Sequence, residues 1–148
     1  MRIYLDVCCL NRLFDDQLQD RIRQESQAVL TVIAHVREGR WMLLGSDVVE
    51  WEASANRDAE RRRQLTELIM LCNQVHSMTK AEMRRSEELV RMGFKGLDAM
   101  HLACAEAMEA DVFLTTDDAL IRCAARNRSL MRVIVANPVY WLLEVNEP

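Results

Sequence analysis

The chain has 148 residues, about one domain's length, enough to bury roughly two-thirds of its unfolded surface without disulfide staples. Its formal charge is −4, from 19 basic and 23 acidic residues, which excludes holding nucleic acid by bulk attraction alone; a polyanion must meet local arginines or bound cations. Five cysteines, an odd number with no C-x-x-C spacing, argue against a disulfide framework or a structural zinc site.

The opening MRIYLD places Arg2 and Asp6 around a very short apolar stretch, unlike a signal peptide. No apolar run reaches the ~20 residues of a membrane span, so a cytoplasmic protein without membrane contact is expected. Ile3, Tyr4 and Leu5 read as a first strand ending at Asp6. Val29, Val32, Ile33 and Val36 lie at i, i+3, i+4, i+7, one apolar stripe of a long helix closed by Gly39. Trp41 to Leu44 reads as a second strand stopped by Gly45. A helix follows from Asp47 to Ala55, and another carries Leu65, Leu68, Ile69 and Cys72. Residues 79–92 form a charged helix ending at Gly93. Leu97 to Met108 is apolar nearly all round and reads as a buried helix. Val112 to Leu114 is a strand, Asp118 to Ala125 a helix, and Val133 to Val135 a last strand. Asn137-Pro138 breaks the chain before a terminal helix around Trp141.

No repeat or composition shift marks a second domain, so residues 1–148 read as one. Alternating strands and helices predict an α/β fold: a three-layer sandwich with a mainly parallel sheet of about five strands and helices on both faces. In such sheets ligands bind beyond the carboxyl ends of the strands, where strand order reverses.

Acidic residues stand at those ends. Asp6 closes the first strand, Asp117 follows Val112–Leu114, Asp98 opens the buried helix, and Glu50 and Glu52 follow the second strand. Asp98 and the Asp117/Asp118 pair also have a plain reading, because acids favour helix N-termini. Asp6 is harder to explain that way, since a carboxylate closing an apolar strand loses solvation unless a cation meets it. Asp47-x-x-Glu50 resembles a capping box, whereas Glu52 shares a helix face with Val48 and Val49. Glu52 is therefore the glutamate expected to point inward. Carboxylates held close together raise one another's pKa, and a hard divalent cation with oxygen ligands relieves that. Such a site suits phosphodiester hydrolysis.

Tyr4-Leu5-Asp6 with Leu10-Asn11, Ser46 with Glu52 six residues later, Leu97-Asp98-Ala99-Met100-His101-Leu102-Ala103, Val112-Phe113-Leu114-Thr115-Thr116-Asp117 and Val133-Ile134-Val135-Ala136-Asn137-Pro138 occur in order along nearly the whole chain. This ordered set resembles the PIN-domain nucleases, the family that includes VapC-like toxins of toxin–antitoxin pairs. The resemblance implies adjacent first and fourth strands and a Mg²⁺- or Mn²⁺-dependent endoribonuclease leaving a 5′-phosphate. By position, Asp6, Asp98 and Asp117 would hold metal, and Glu52 would bind metal or orient the attacking water. Asn11, Glu50, Thr116 and Asp118 would support them. The small hydroxyl residue common two places after the first aspartate is Cys8 here, a weaker donor. That departure keeps open a second reading, a catalytically weak module binding RNA or protein.

Arg61–Arg63 and Arg84-Arg85 read as solvated helix faces balanced by nearby acids. Arg122 and Arg126, one turn apart, are the arginines expected to touch RNA phosphates. His101 shares a face with Asp98 and reads as a hydrogen-bonded core residue, and Cys8 and Cys9 read as packing. An antitoxin protein and a second copy of the chain are the expected partners, the copy because apolar helix surface is in surplus.

Overall fold

Ile3, Tyr4 and Leu5 are almost sealed from solvent, as are Val112, Phe113 and Leu114. Strands covered on both faces have to read as unbroken apolar runs, and these two lie side by side at the middle of the sheet. The computed structural model describes residues 1–146, the side chain of Asn146 excepted. Its strands are β1 (Arg2–Leu5), β2 (Met42–Ser46), β3 (Gln74–His76), β4 (Val112–Leu114) and β5 (Ile134–Ala136). They form one sheet of order β3-β2-β1-β4-β5 with every pairing parallel. The helices are α1 (Val7–Asn11), α2 (Asp20–Arg37), α3 (Asp47–Ser54), α4 (Ala59–Ile69), α5 (Lys80–Arg91), α6 (Gly96–Ala107), α7 (Asp118–Arg126) and α8 (Pro138–Asn146).

Two cores flank the sheet. Tyr4, Leu44 and Phe113 face α5, α6 and α7, while Ile3, Leu5, Leu43, Val112 and Leu114 face α1, α2, α4 and α8. The three-layer α/β/α sandwich expected from the alternating pattern is present. Helix α3 sends Val48 and Val49 into the first core and Ala53 into the second, so it lies across the carboxyl end of β2. The α2 stripe of Val29, Val32, Ile33 and Val36 is buried as its spacing predicts, and Gly39 ends the helix at φ 75°. All five cysteines are free. Among the described residues no helix is long and apolar enough to cross a membrane.

Several local expectations are corrected. Strand β2 does not stop at Gly45 but continues to Ser46, and β5 begins one residue later than predicted. Gly45 serves close packing: a Cβ there would stand 2.8 Å from Cys72 Sγ. Strand β3 has no sequence signature, because Gln74 and Val75 are exposed on the sheet edge. The N-cap of α3 is Ser46, whose hydroxyl accepts from the Val49 N–H, so Asp47 and Glu50 form no capping box. Arg85 is not on a solvated face. It is buried, with Nε and Nη2 on the two oxygens of Glu106 at 2.7 and 3.2 Å and Nη2 on the Leu130 carbonyl. Arg61 likewise turns inward to Asn11, Asp15 and the Phe14 carbonyl, while Arg63 stays on the surface with Glu60 and Glu67.

The loop after β1 and the turn after β5 are joined by one buried acid. Glu25 of α2 accepts from Arg12 Nε at 2.9 Å, Arg21 Nε at 3.3 Å and Asn137 Nδ2 at 2.6 Å. Asn137 also caps α8 through the Val139 N–H, so it does more than break the chain. Removing one partner of a buried charged network leaves the others desolvated and unpaired. Glu25→Ala is expected to lower unfolding stability by about 3 kcal/mol, read as a lower urea midpoint with an unchanged slope.

Candidate active site

The chain steps outward from β1 through β2 to β3, then returns to the other side of β1 for β4 and β5. The connections leaving β1 and β4 therefore diverge and open a crevice at their carboxyl ends. Asp6 stands there. Its N–H donates to the Leu114 carbonyl, extending the β1–β4 pairing by one residue. The residue is 6% exposed, and its Oδ2 accepts from Thr115 Oγ1 at 2.9 Å and from Cys8 Sγ at 3.3 Å. Cys8 Sγ also accepts from the Thr116 N–H, so this thiol ties the end of β1 to the turn after β4. Cys8 is thus more than packing, the role read for it from the sequence.

Asp98 lies in the first turn of α6, half-buried, and its carboxylate makes no hydrogen bond among the described residues. Burial pushes its pKa up to about 6, and the negative charges of Asp6, Asp117 and Glu52 add to the rise while His101 opposes it. Burial also raises Asp6, and Glu52 raises it further; His101 and the bonds from Thr115 and Cys8 pull the other way. Asp117 caps α7, its Oδ1 accepting from the Ala119 and Leu120 N–H groups. The plain helix-cap reading therefore holds for Asp117, yet its charge still reaches Asp98.

Glu52, on α3, accepts from His101 Nε2 at 2.7 Å. Donor atoms of Asp6, Glu52 and His101 all lie within 4.8 Å of one another. Among the described residues no lysine or arginine forms a salt bridge with Asp6, Glu52, Asp98 or Asp117, and the only such partner is His101, on Glu52. Carboxylates that repel one another with so little compensation fit a hard divalent cation, which takes oxygen donors and supplies the missing charge.

The family described as PIN domain matches residues 3–126. The chain belongs to the PIN-domain family. No curated protein sequence matches it. The fold is similar to that of a chain in the crystal structure of VapBC2 from Rickettsia felis bound to a DNA fragment from their promoter, with a TM-score of 0.57 and 11% identity. That alignment covers 93% of this chain and 98% of the other, and at such low identity it speaks for the fold. PIN domains are in general nucleases.

The other predicted residues divide. Thr116 is buried beside the cluster, its N–H on Cys8 and its carbonyl on Arg21. Asn11 turns to Arg61. Asp118 is half-exposed and held by both Nη atoms of Arg21, which keep its carboxyl below the usual range. Glu50 is exposed, and its charge is felt at Cys72; two residues along a helix from Glu52, it faces a different way. Asp118 and Glu50 are not brought to the cluster by any bond. Arg122 and Arg126 are exposed on α7 and form no ion pair among the described residues. His101 is the residue whose connections went unread: it is 1% exposed, and its Nδ1 lies 2.8 Å from the Tyr4 hydroxyl, itself 2.7 Å from Ser46 Oγ. The one sequence signal for it is the i+3 spacing from Asp98.

The raised Asp98 pKa fixes a sign. An unfolded aspartate ionises near about 4, and the folded one near about 6. Between those values the folded chain holds the extra proton, so metal-free stability falls as pH rises through this window and stays lower above it. Asp98→Asn removes that cost. Metal-free Asp98→Asn is expected to melt above the wild type at pH 7.5, with the gap closing towards pH 4; a variant that melts lower at pH 7.5 would contradict the arrangement.

Proposed function

We propose that this PIN domain is a metal-dependent endoribonuclease that hydrolyses RNA phosphodiesters and serves as the toxin of a toxin–antitoxin pair. The observation that carries the reading is the close approach of Asp6 and Glu52, whose charges with that of Asp117 are felt at Asp98, with no arginine or lysine salt-bridged to any of the four among the described residues. The charge deficit asks for a doubly positive ion, and a phosphodiester is the substrate whose chemistry such an ion serves.

Asp6, Asp98 and Glu52 would hold Mg²⁺ or Mn²⁺, with Asp117 contributing through the oxygen its helix cap leaves free. When bound, the ion polarises the phosphate and lowers the pKa of water. Asp6 keeps Oδ1 clear, because both its protein donors sit on Oδ2. Glu52 keeps Oε1 clear in the same way and can orient the attacking water. Arg122 and Arg126, exposed and unpaired among the described residues on the helix that follows Asp117, supply phosphate contacts that the overall charge of −4 cannot.

The toxin assignment leans on the similarity to a VapBC2 chain, whose structure contains both components on promoter DNA. By that likeness the chain would take an antitoxin partner, and we read residues 1–148 as one unit that dimerises in the cytoplasm. The alternative, a catalytically weak binding module, drew on Cys8 and the acidic charge balance; here Cys8 Sγ, though a weaker donor than a hydroxyl, still donates to Asp6 Oδ2 at 3.3 Å, which favours the enzyme.

The purified chain is expected to cleave single-stranded or structured RNA with Mn²⁺ and to stop when EDTA removes it. Asp6→Asn and Asp98→Asn should each cost at least about 100-fold in rate, more than outer hydrogen-bond partners of metal sites usually do. Cleavage that survives in both variants, or in EDTA, would reject the assignment. RNA binding without cleavage by the wild type would favour the alternative.

A further inference from the structure

Glu52 would be a poor ligand or water-orienting group if it swung freely. It lies at the end of a hydrogen-bonded circuit that starts on its own helix. Ser46 Oγ accepts from the Val49 N–H at the first turn of α3 and lies 2.7 Å from the Tyr4 hydroxyl. That hydroxyl lies 2.8 Å from His101 Nδ1, and His101 Nε2 lies 2.7 Å from Glu52 Oε2. Ser46, Tyr4 and His101 are each at most 1% exposed, while Glu52 is half-buried at the crevice.

With Glu52 ionised and the ring neutral, every direction in the circuit is set. A carboxylate only accepts, so Nε2 carries the proton; Nδ1 then accepts from Tyr4, whose own oxygen accepts from Ser46. Ligation of a cation by His101 would require giving up either the Glu52 bond or the Tyr4 bond, because both ring nitrogens are already engaged. Tyr4 is itself immobilised, stacked on Phe113 at 5.3 Å between centroids. The six-residue spacing of Ser46 and Glu52 thus joins the two ends of one rigid loop of hydrogen bonds.

We propose that His101 is a positioning residue: backed by Tyr4 and Ser46, it clamps Glu52 Oε2 and so presents Oε1 to the crevice in a single orientation. This rests on the reading given under Proposed function. Outer partners that orient a ligating carboxylate typically account for about 10–100-fold in metal affinity or activity.

The test uses Mn²⁺ alone, titrated calorimetrically into the full chain. His101→Ala is expected to weaken Mn²⁺ binding by about 10–100-fold. His101→Gln, whose amide N–H can replace Nε2–H, should recover most of that loss, and Tyr4→Phe should weaken binding while keeping the ring in place. Nitrogen-15 spectra of the wild type should show the Nε2–H tautomer. If His101→Ala fails to fold, Tyr4→Phe and His101→Gln carry the comparison. Wild-type affinity in the folded variants, an Nδ1–H tautomer, or a loss that glutamine does not repair would overturn the positioning role while leaving the nuclease reading intact. Failure of the wild type to bind Mn²⁺ would remove that reading, and this inference with it.

Discussion

Like charges gathered at low solvation are the constraint on which the molecule turns. Asp6 is almost fully buried, the half-buried carboxylate of Asp98 makes no hydrogen bond among the described residues, and Glu52 raises the pKa of both while Asp6 adds to the rise at Asp98. A sequence selected for stability alone would place arginine or an apolar side chain there. The chain instead has arginines to spare and uses them elsewhere: Arg12 and Arg21 on Glu25, Arg85 on Glu106, Arg61 on Asp15. Keeping cationic side chains out of the crevice leaves its charge available for something else.

Everything around the crevice holds that unfavourable cluster in place. The β1–β4 pairing sets Asp6 opposite Thr115, α6 brings Asp98 in its first turn, and α7 fixes Asp117 as its cap. Glu52 comes across from α3, secured through the buried His101. Two fully satisfied interior networks, at Glu25 and at Arg85, tie the surrounding helices and loops together, so the repulsion is borne by a rigid frame.

Much of this could be read in the sequence, for definable reasons. Strands β1 and β4 are apolar on both faces, and a parallel sheet puts its chemistry at the strand ends, so Asp6, Asp98 and Asp117 stood out as acids at element boundaries. The choice of Glu52 over Glu50 rested on helix geometry and on a capping box that does not form, and the structure leaves Glu50 exposed. What escaped was decided by tertiary contact. Strand β3 is a short polar edge whose pairing comes from β2, not from its own composition. Gly45 looked like a stop and is a packing contact against Cys72. Arg85 looked like surface charge because nothing local announces Glu106. The His101–Tyr4 bond joins residues 97 positions apart, and no periodicity encodes it.

Anomalous diffraction from crystals soaked in Mn²⁺ at pH 7.5 shows whether these carboxylates share a divalent cation. A peak is expected whose nearest protein atoms are carboxylate oxygens of Asp6, Glu52 and Asp98; an empty crevice, or manganese only on surface acids such as Glu60 and Glu67, would mean that they share none.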